Sequence, residues 1–119
     1  MNLSLSNRDE VFIIRLEKVL FFEADDHYTR VQCITGSKFM VPFNLSTIQE
    51  RLTEATEFLR IGRSYIVNTT TIRHLSATKQ TVTFGDEPEH SVTLHLSRPM
   101  IRSLMNQLAP KKEKTDENE

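Results

Sequence analysis

The chain has 119 residues and a net charge of −1, from 15 Lys+Arg against 16 Asp+Glu, enough for one domain with a modest core. Hydrophobic residues at 38% and charged residues at 26% exclude a disordered or fibrous chain, and no apolar run nears the roughly 20 residues that span a bilayer. The lone cysteine, Cys33, cannot close an intramolecular disulfide, and the opening residues lack the blocks of a secretory signal, so the cytoplasm is the expected compartment.

Val11-Phe12-Ile13-Ile14 and Val19-Leu20-Phe21-Phe22 are β-favouring runs divided by the polar Glu17-Lys18. After the polar Asp25-Asp26-His27 turn, Tyr28 to Thr35 reads as a strand. Gly36-Ser37 separates it from Lys38-Phe39-Met40-Val41, and the pair reads as a hairpin. Leu45, Ile48 and Leu52 then recur at helical spacing, with Asn44 or Ser46 as N-cap and Ser46…Gln49 matching a capping box. Arg60-Ile61-Gly62-Arg63-Ser64-Tyr65 reads as an irregular loop. Further strands are expected at Tyr65 to Asn68, Thr70 to Leu75, Thr81 to Phe84 and Ser91 to Leu96. A second helix follows, with Ser97 as N-cap, Pro99 in its first turn and Ile101, Leu104, Met105 and Leu108 on one face. The expected fold is all-β-rich with two short helices, an elongated antiparallel sandwich of several small sheets. The domain fills residues 1–109, and the charged 110–119 stretch, without an apolar side chain after Pro110, is expected to be a disordered tail.

Charge is spread unevenly. Residues 1–59 carry a balance of −3. Residues 60–102 hold Arg60, Arg63, Arg73, Lys79, Arg98 and Arg102 against Asp86, Glu87 and Glu89, a balance of +3. Nucleic-acid binding needs such local positive potential and not a basic average, although mixed charge that merely solvates a surface gives similar totals.

Catalytic chemistry finds little support. Asp25, Asp26 and His27 set two carboxylates beside an imidazole, but adjacent turn residues point apart, and acid/base or metal chemistry needs convergence. His74, His90 and His95 lack a partner at ligand spacing, and three glycines leave none for a phosphate-cradling loop. Cys33 alternates with Val31 and reads as a small core residue. No enzyme, cofactor or metal is expected. The arginines say more. Arg98 follows the cap Ser97, at the positive end of a helix dipole, where a cation is disfavoured by roughly 0.3–1 kcal/mol. Folding gives no reason to choose it, whereas a phosphate or a guanine acceptor edge would. An exposed arginine without a role, or one paired with an acid, is the competing explanation. Arg60 reads as a loop staple to an acid such as Glu23 or Glu57.

Val19 to Ala24 with Tyr28-Thr29-Arg30-Val31, then Phe58 to Asn68, then Leu96-Ser97-Arg98 resemble, in order, three blocks of the LytTR family of DNA-binding domains. The resemblance covers roughly residues 10 to 108. It implies an elongated assembly of antiparallel sheets that binds promoter DNA through loops entering successive major grooves, without a recognition helix. Carried onto this chain, it implies Arg98 as a base reader and Arg63 as a base or phosphate contact. Thr29 and Arg30 become groove-entering or phosphate contacts, with His27 and Ser64 in the same DNA-facing set, Ser64 and Tyr65 also positioning their loop. The three arginines should then line one side of the molecule.

Family members usually carry a histidine where Gly62 stands, so this chain loses a donor, and its loop is expected to be looser. The usual N-terminal receiver domain has no room before residue 10. The expectation is a stand-alone regulator or a piece of a longer one, with any receiver or sensor on a separate chain, no membrane partner, and pairing on repeated double-stranded DNA sites. The rival reading is a LytTR-like protein-interaction module without DNA binding, supported by Gly62 and the charge of −1.

Overall fold

The structure, a computed structural model, describes residues 1–110; the expected disordered tail lies, after Pro110, outside the described residues. Strands β1 (Asn2–Ser6) and β2 (Val11–Arg15) form a hairpin. β3 (Val19–Asp25), β4 (Tyr28–Cys33) and β5 (Lys38–Val41) follow, then helix α1 (Leu45–Arg51), β6 (Phe58–Ile61) and β7 (Tyr65–Asn68). β8 (Ile72–Ser76), β9 (Thr81–Phe84), β10 (Val92–His95) and helix α2 (Arg98–Leu108) complete the described chain. Three antiparallel sheets result, ordered β1-β2, β5-β4-β3-β7-β6 and β10-β9-β8. The strand-rich architecture with two short helices is the one read from the sequence.

The five-stranded sheet is covered on both faces, which explains the unbroken apolar run at the start of β3. Phe22, Val31, Cys33 and Ile66 pack with Leu3, Leu5 and Ile14 of the β1-β2 hairpin and with Leu45 and Ile48 of α1. Phe21, Ile61 and Val67 pack the other way, against Val82, Phe84 and the α2 residues Ile101 and Leu104. The β3-β4 register shifts between Val19 and Phe21, so two successive side chains, Leu20 and Phe21, join the same core.

Several elements differ from the sequence reading. β1 was not expected, because Asn-Leu-Ser-Leu-Ser offers only two apolar residues; its alternation buries Leu3 and Leu5. Arg60 and Ile61 belong to β6 and not to an irregular loop, pairing with Ile66 and Tyr65. Thr70 and Thr71 lie in a 3-10 turn, Thr69–Thr71, and not in β8. The buried Asn68 imposes that turn by accepting from the Thr70 backbone N–H and hydroxyl, while its amide donates to the Val19 carbonyl at 2.9 Å. Asn44 caps α1, accepting from Thr47 N–H at 2.8 Å. The Ser46…Gln49 box does not form, since Ser46 lies inside the helix and Gln49 accepts a bond from Arg60.

Candidate nucleic-acid interface

Strand register brings the sequence-predicted residues to one end of the central sheet. Asp25 pairs with Tyr28, leaving Asp26 and His27 as the tight β3-β4 turn, with Asp26 in the left-handed region at φ 58°. Glu23 pairs with Tyr65, and Ala24 N–H donates to the Ser64 carbonyl at 2.8 Å. The β6-β7 turn, Gly62-Arg63-Ser64, therefore stands beside the β3-β4 turn.

Arg60 holds that turn from below. Its Nε donates to the Gly62 carbonyl at 2.8 Å, Nη2 to the Arg63 carbonyl at 3.3 Å and Nη1 to Gln49 Oε1 at 2.6 Å. It is the staple the sequence suggested, but onto carbonyls and an amide instead of an acid. Gly62 has φ +61°, and a Cβ there would lie 2.7 Å from Met100 Cε. A left-handed backbone and a methionine at close range both call for glycine. The expected loosening of the loop is thus corrected: Gly62 is what lets a braced turn touch the first turn of α2.

Helix α2 starts as its sequence dictates. Ser97 Oγ accepts from the Met100 N–H at 3.4 Å, Arg98 is the first helical residue and no acid occupies the first turn. Met100 touches Gly62, so the turn that carries Arg63 and the helix start that carries Arg98 are neighbouring elements. Both arginines are exposed, and among the described residues neither guanidinium has a hydrogen bond or ion pair. Folding supplies them no partner.

Two expected contacts are corrected. Thr29 has no exposure; it shares a strand face with Val31 and Cys33, and its hydroxyl donates to the Phe43 carbonyl at 2.7 Å. A buried, satisfied hydroxyl cannot reach a groove. Arg30 is tied to acids, Nη1 to Glu23 Oε1 at 3.1 Å and Nη2 to Asp25 Oδ2 at 2.9 Å. Glu23 also accepts from the Tyr65 hydroxyl at 3.3 Å, so Asp25, Arg30, Glu23 and Tyr65 form one polar chain across three strands. Burial first, and then the Glu23 charge, push the Tyr65 phenol above its ordinary value. Arg30 secures the sheet end where the turns emerge. Of three guanidiniums expected in line, two remain free.

His27 and Ser64 are exposed. His27 Nε2 lies 3.6 Å from Asp26 Oδ1, with side chains 89% and 81% exposed. That pair stands on an open turn and has none of the enclosure acid/base chemistry requires. The sequence reading missed Lys79 as part of this region. The β8-β9 turn that carries it is bonded to Leu96, since Leu96 N–H donates to the Gln80 carbonyl and Gln80 Nε2 donates to the Leu96 carbonyl, each at 3.0 Å. The cue was the +3 balance of residues 60–102, which named Lys79 without placing it.

Two exposed arginines without partners, on a braced turn and a helix start of a strand-rich scaffold, suit a binding domain and not a catalytic one. Residues 9–109 match the family model described as the LytTr DNA-binding domain, and the chain belongs to the LytTR family, a DNA-binding and not a catalytic one. It is 45% identical over 49 residues to the CO-responsive transcriptional regulator RcoM of Rhodospirillum rubrum, a match spanning 41% of this chain and 20% of that protein. A solved LytTr DNA-binding domain from Bacillus cereus has the same fold, at TM-score 0.62 and 22% identity, covering 91% of this chain and 96% of that one. No helix among the described residues is long and apolar enough to cross a membrane.

Proposed function

We propose that this chain binds double-stranded DNA sequence-specifically and thereby regulates transcription, with Arg98 reading a base edge and Arg63 contacting a base or phosphate. The observation that carries the reading is the free state of these two guanidiniums on elements joined at Gly62 and Met100. Arg98 stands where the helix dipole opposes a cation, which leaves an acceptor-rich ligand as the reason for its presence. A guanine edge offers two acceptors in the geometry of the guanidinium fork.

The β3-β4 turn with His27, and Ser64 beside Arg63, extend the same edge. The longest extent of the molecule is 60 Å, more than the roughly 34 Å repeat of B-DNA, so the chain is long enough to lie along more than one groove. Two copies on repeated sites would double the contact. The similarity to a transcriptional regulator over part of its length supports the regulatory role.

The protein-interaction alternative draws on Asp26, an exposed acid on the turn next to the one that carries Arg63. Quantitative duplex binding separates the two. Arg98→Ala is expected to weaken binding to a preferred duplex by about fivefold to a hundredfold, from a bidentate contact worth about 1–3 kcal/mol, with an unchanged melting temperature. Wild-type affinity should fall as salt rises, through counterion release. A flat salt dependence removes direct DNA contact. An unchanged affinity in Arg98→Ala removes its role as reader.

A further inference from the structure

The β8-β9 turn, residues 77–80, carries two features that bear on the start of α2. Gln80 is one of two non-glycine residues at positive φ, 55°, among the described residues. A side chain there strains the backbone, and glycine would sit there more comfortably. What glycine lacks is the carboxamide that donates to the Leu96 carbonyl at 3.0 Å. Together with the bond from Leu96 N–H to the Gln80 carbonyl, also 3.0 Å, it makes a two-way fastening. Leu96 directly precedes the Ser97 cap and Arg98, and its own side chain, 5% exposed, is anchored in the core with Ile101 and Leu104. Gln80 thus fixes the backbone from which Arg98 projects.

Lys79 is the neighbouring feature. It is exposed at the turn tip, its backbone N–H is held by Ser76 Oγ at 3.1 Å, and among the described residues its ammonium has no hydrogen bond or ion pair. The turn itself, Ala77-Thr78-Lys79-Gln80, contains no acid.

We propose that the 77–80 turn is a further arm of the DNA interface, in which Lys79 takes a backbone phosphate and Gln80 is the positioning residue for Arg98. The inference rests on the DNA-binding reading of Arg98 and extends it to a hairpin that touches the opening of α2 through Leu96. Lys79 then sets register without reading sequence, as phosphate contacts do. Gln80 touches no DNA, and acts by keeping the Arg98 side chain aimed.

The test uses a duplex recovered from a random pool by the wild-type chain, and a scrambled duplex of equal length. Both are titrated between about 50 and 200 mM salt, the range over which phosphate contacts are lost, against wild type, Lys79→Ala, Gln80→Ala and Gln80→Gly, with thermal melts alongside. Lys79→Ala is expected to weaken both duplexes alike and to reduce the slope of log K against log salt by about 0.9. Gln80→Ala and Gln80→Gly are expected to lose several-fold on the selected duplex only, with the slope kept. Gln80→Gly relieves the backbone strain, so a native melt with lost discrimination separates aiming from folding. An unchanged slope in Lys79→Ala, with wild type salt-sensitive, overturns the phosphate role. Full discrimination in Gln80→Gly overturns the positioning role. Salt-insensitive wild-type binding overturns the DNA reading itself, and this inference with it.

Discussion

Thr29 and Arg98 show how the surroundings of a polar side chain decide what it can do. The Thr29 hydroxyl is enclosed beside Val31 and Cys33 and spent on the Phe43 carbonyl. Thr29→Val keeps the shape but leaves that carbonyl without its donor, a loss of about 1–2 kcal/mol. Urea unfolding should show this decrease while the folded variant binds DNA as wild type does. Weakened DNA binding at undiminished stability would put Thr29 back in the interface. The burial was legible in the sequence, since Thr29, Val31 and Cys33 share a parity and the strand period is two. The resemblance to a DNA-binding block outweighed that signal. The fate of Arg30 was partly legible too. A tight turn at Asp26 and His27 sets Asp25 opposite Tyr28, and hence Glu23 opposite Arg30. The place of Arg98 was legible because its signal is local, an N-cap followed by a cation, and the structure leaves that side chain exposed at the helix start.

At the scale of elements, the β6-β7 turn shows what sequence left out. Arg60, Gly62 and Arg63 were visible as a cluster, but not the division of labour among them. Arg60 spends its donors on the Gly62 and Arg63 carbonyls and on Gln49, so that Arg63 is presented outward. Gly62 reads as slack only while its neighbour is unknown; beside Met100 it is the point where turn and helix meet. Gly62→Ala should cost about 1–2 kcal/mol, chiefly through its left-handed backbone, because the Met100 methyl is the movable end of a flexible chain. Thermal or urea unfolding measures the loss, and a neutral result would mean the turn takes another conformation. β1 and β6 escaped notice for a related reason. Each is short, and each owes its strand conformation to pairing with a neighbour, β2 or β7, that its own few residues do not announce.

Across the whole molecule, one sheet separates two cores and brings turns and a helix start to a single end. The net charge of −1 gave no hint of this, because it averages the acid-rich first 59 residues with the cation-rich 60–102 segment. Near the interface, Glu23 and Asp25 bind Arg30, while α2 opens without any acid in its first turn. Local potential, not the total, is what a polyanion meets. The β-rich class and the positions of both helices were legible because alternation and capping are local signals. Which cations would be free was not, because that depends on strand register and on contacts between distant segments.

As proposed, Arg63 and Arg98 are free cations that read duplex sequence. Selection of bound sequences from a random duplex pool with wild type, Arg63→Ala and Arg98→Ala puts this to the test. Wild type should enrich two short, spaced elements, and Arg98→Ala should still bind but lose its preference at one or two positions. Wild type without enrichment, or identical sequences recovered by all three proteins, would contradict the account.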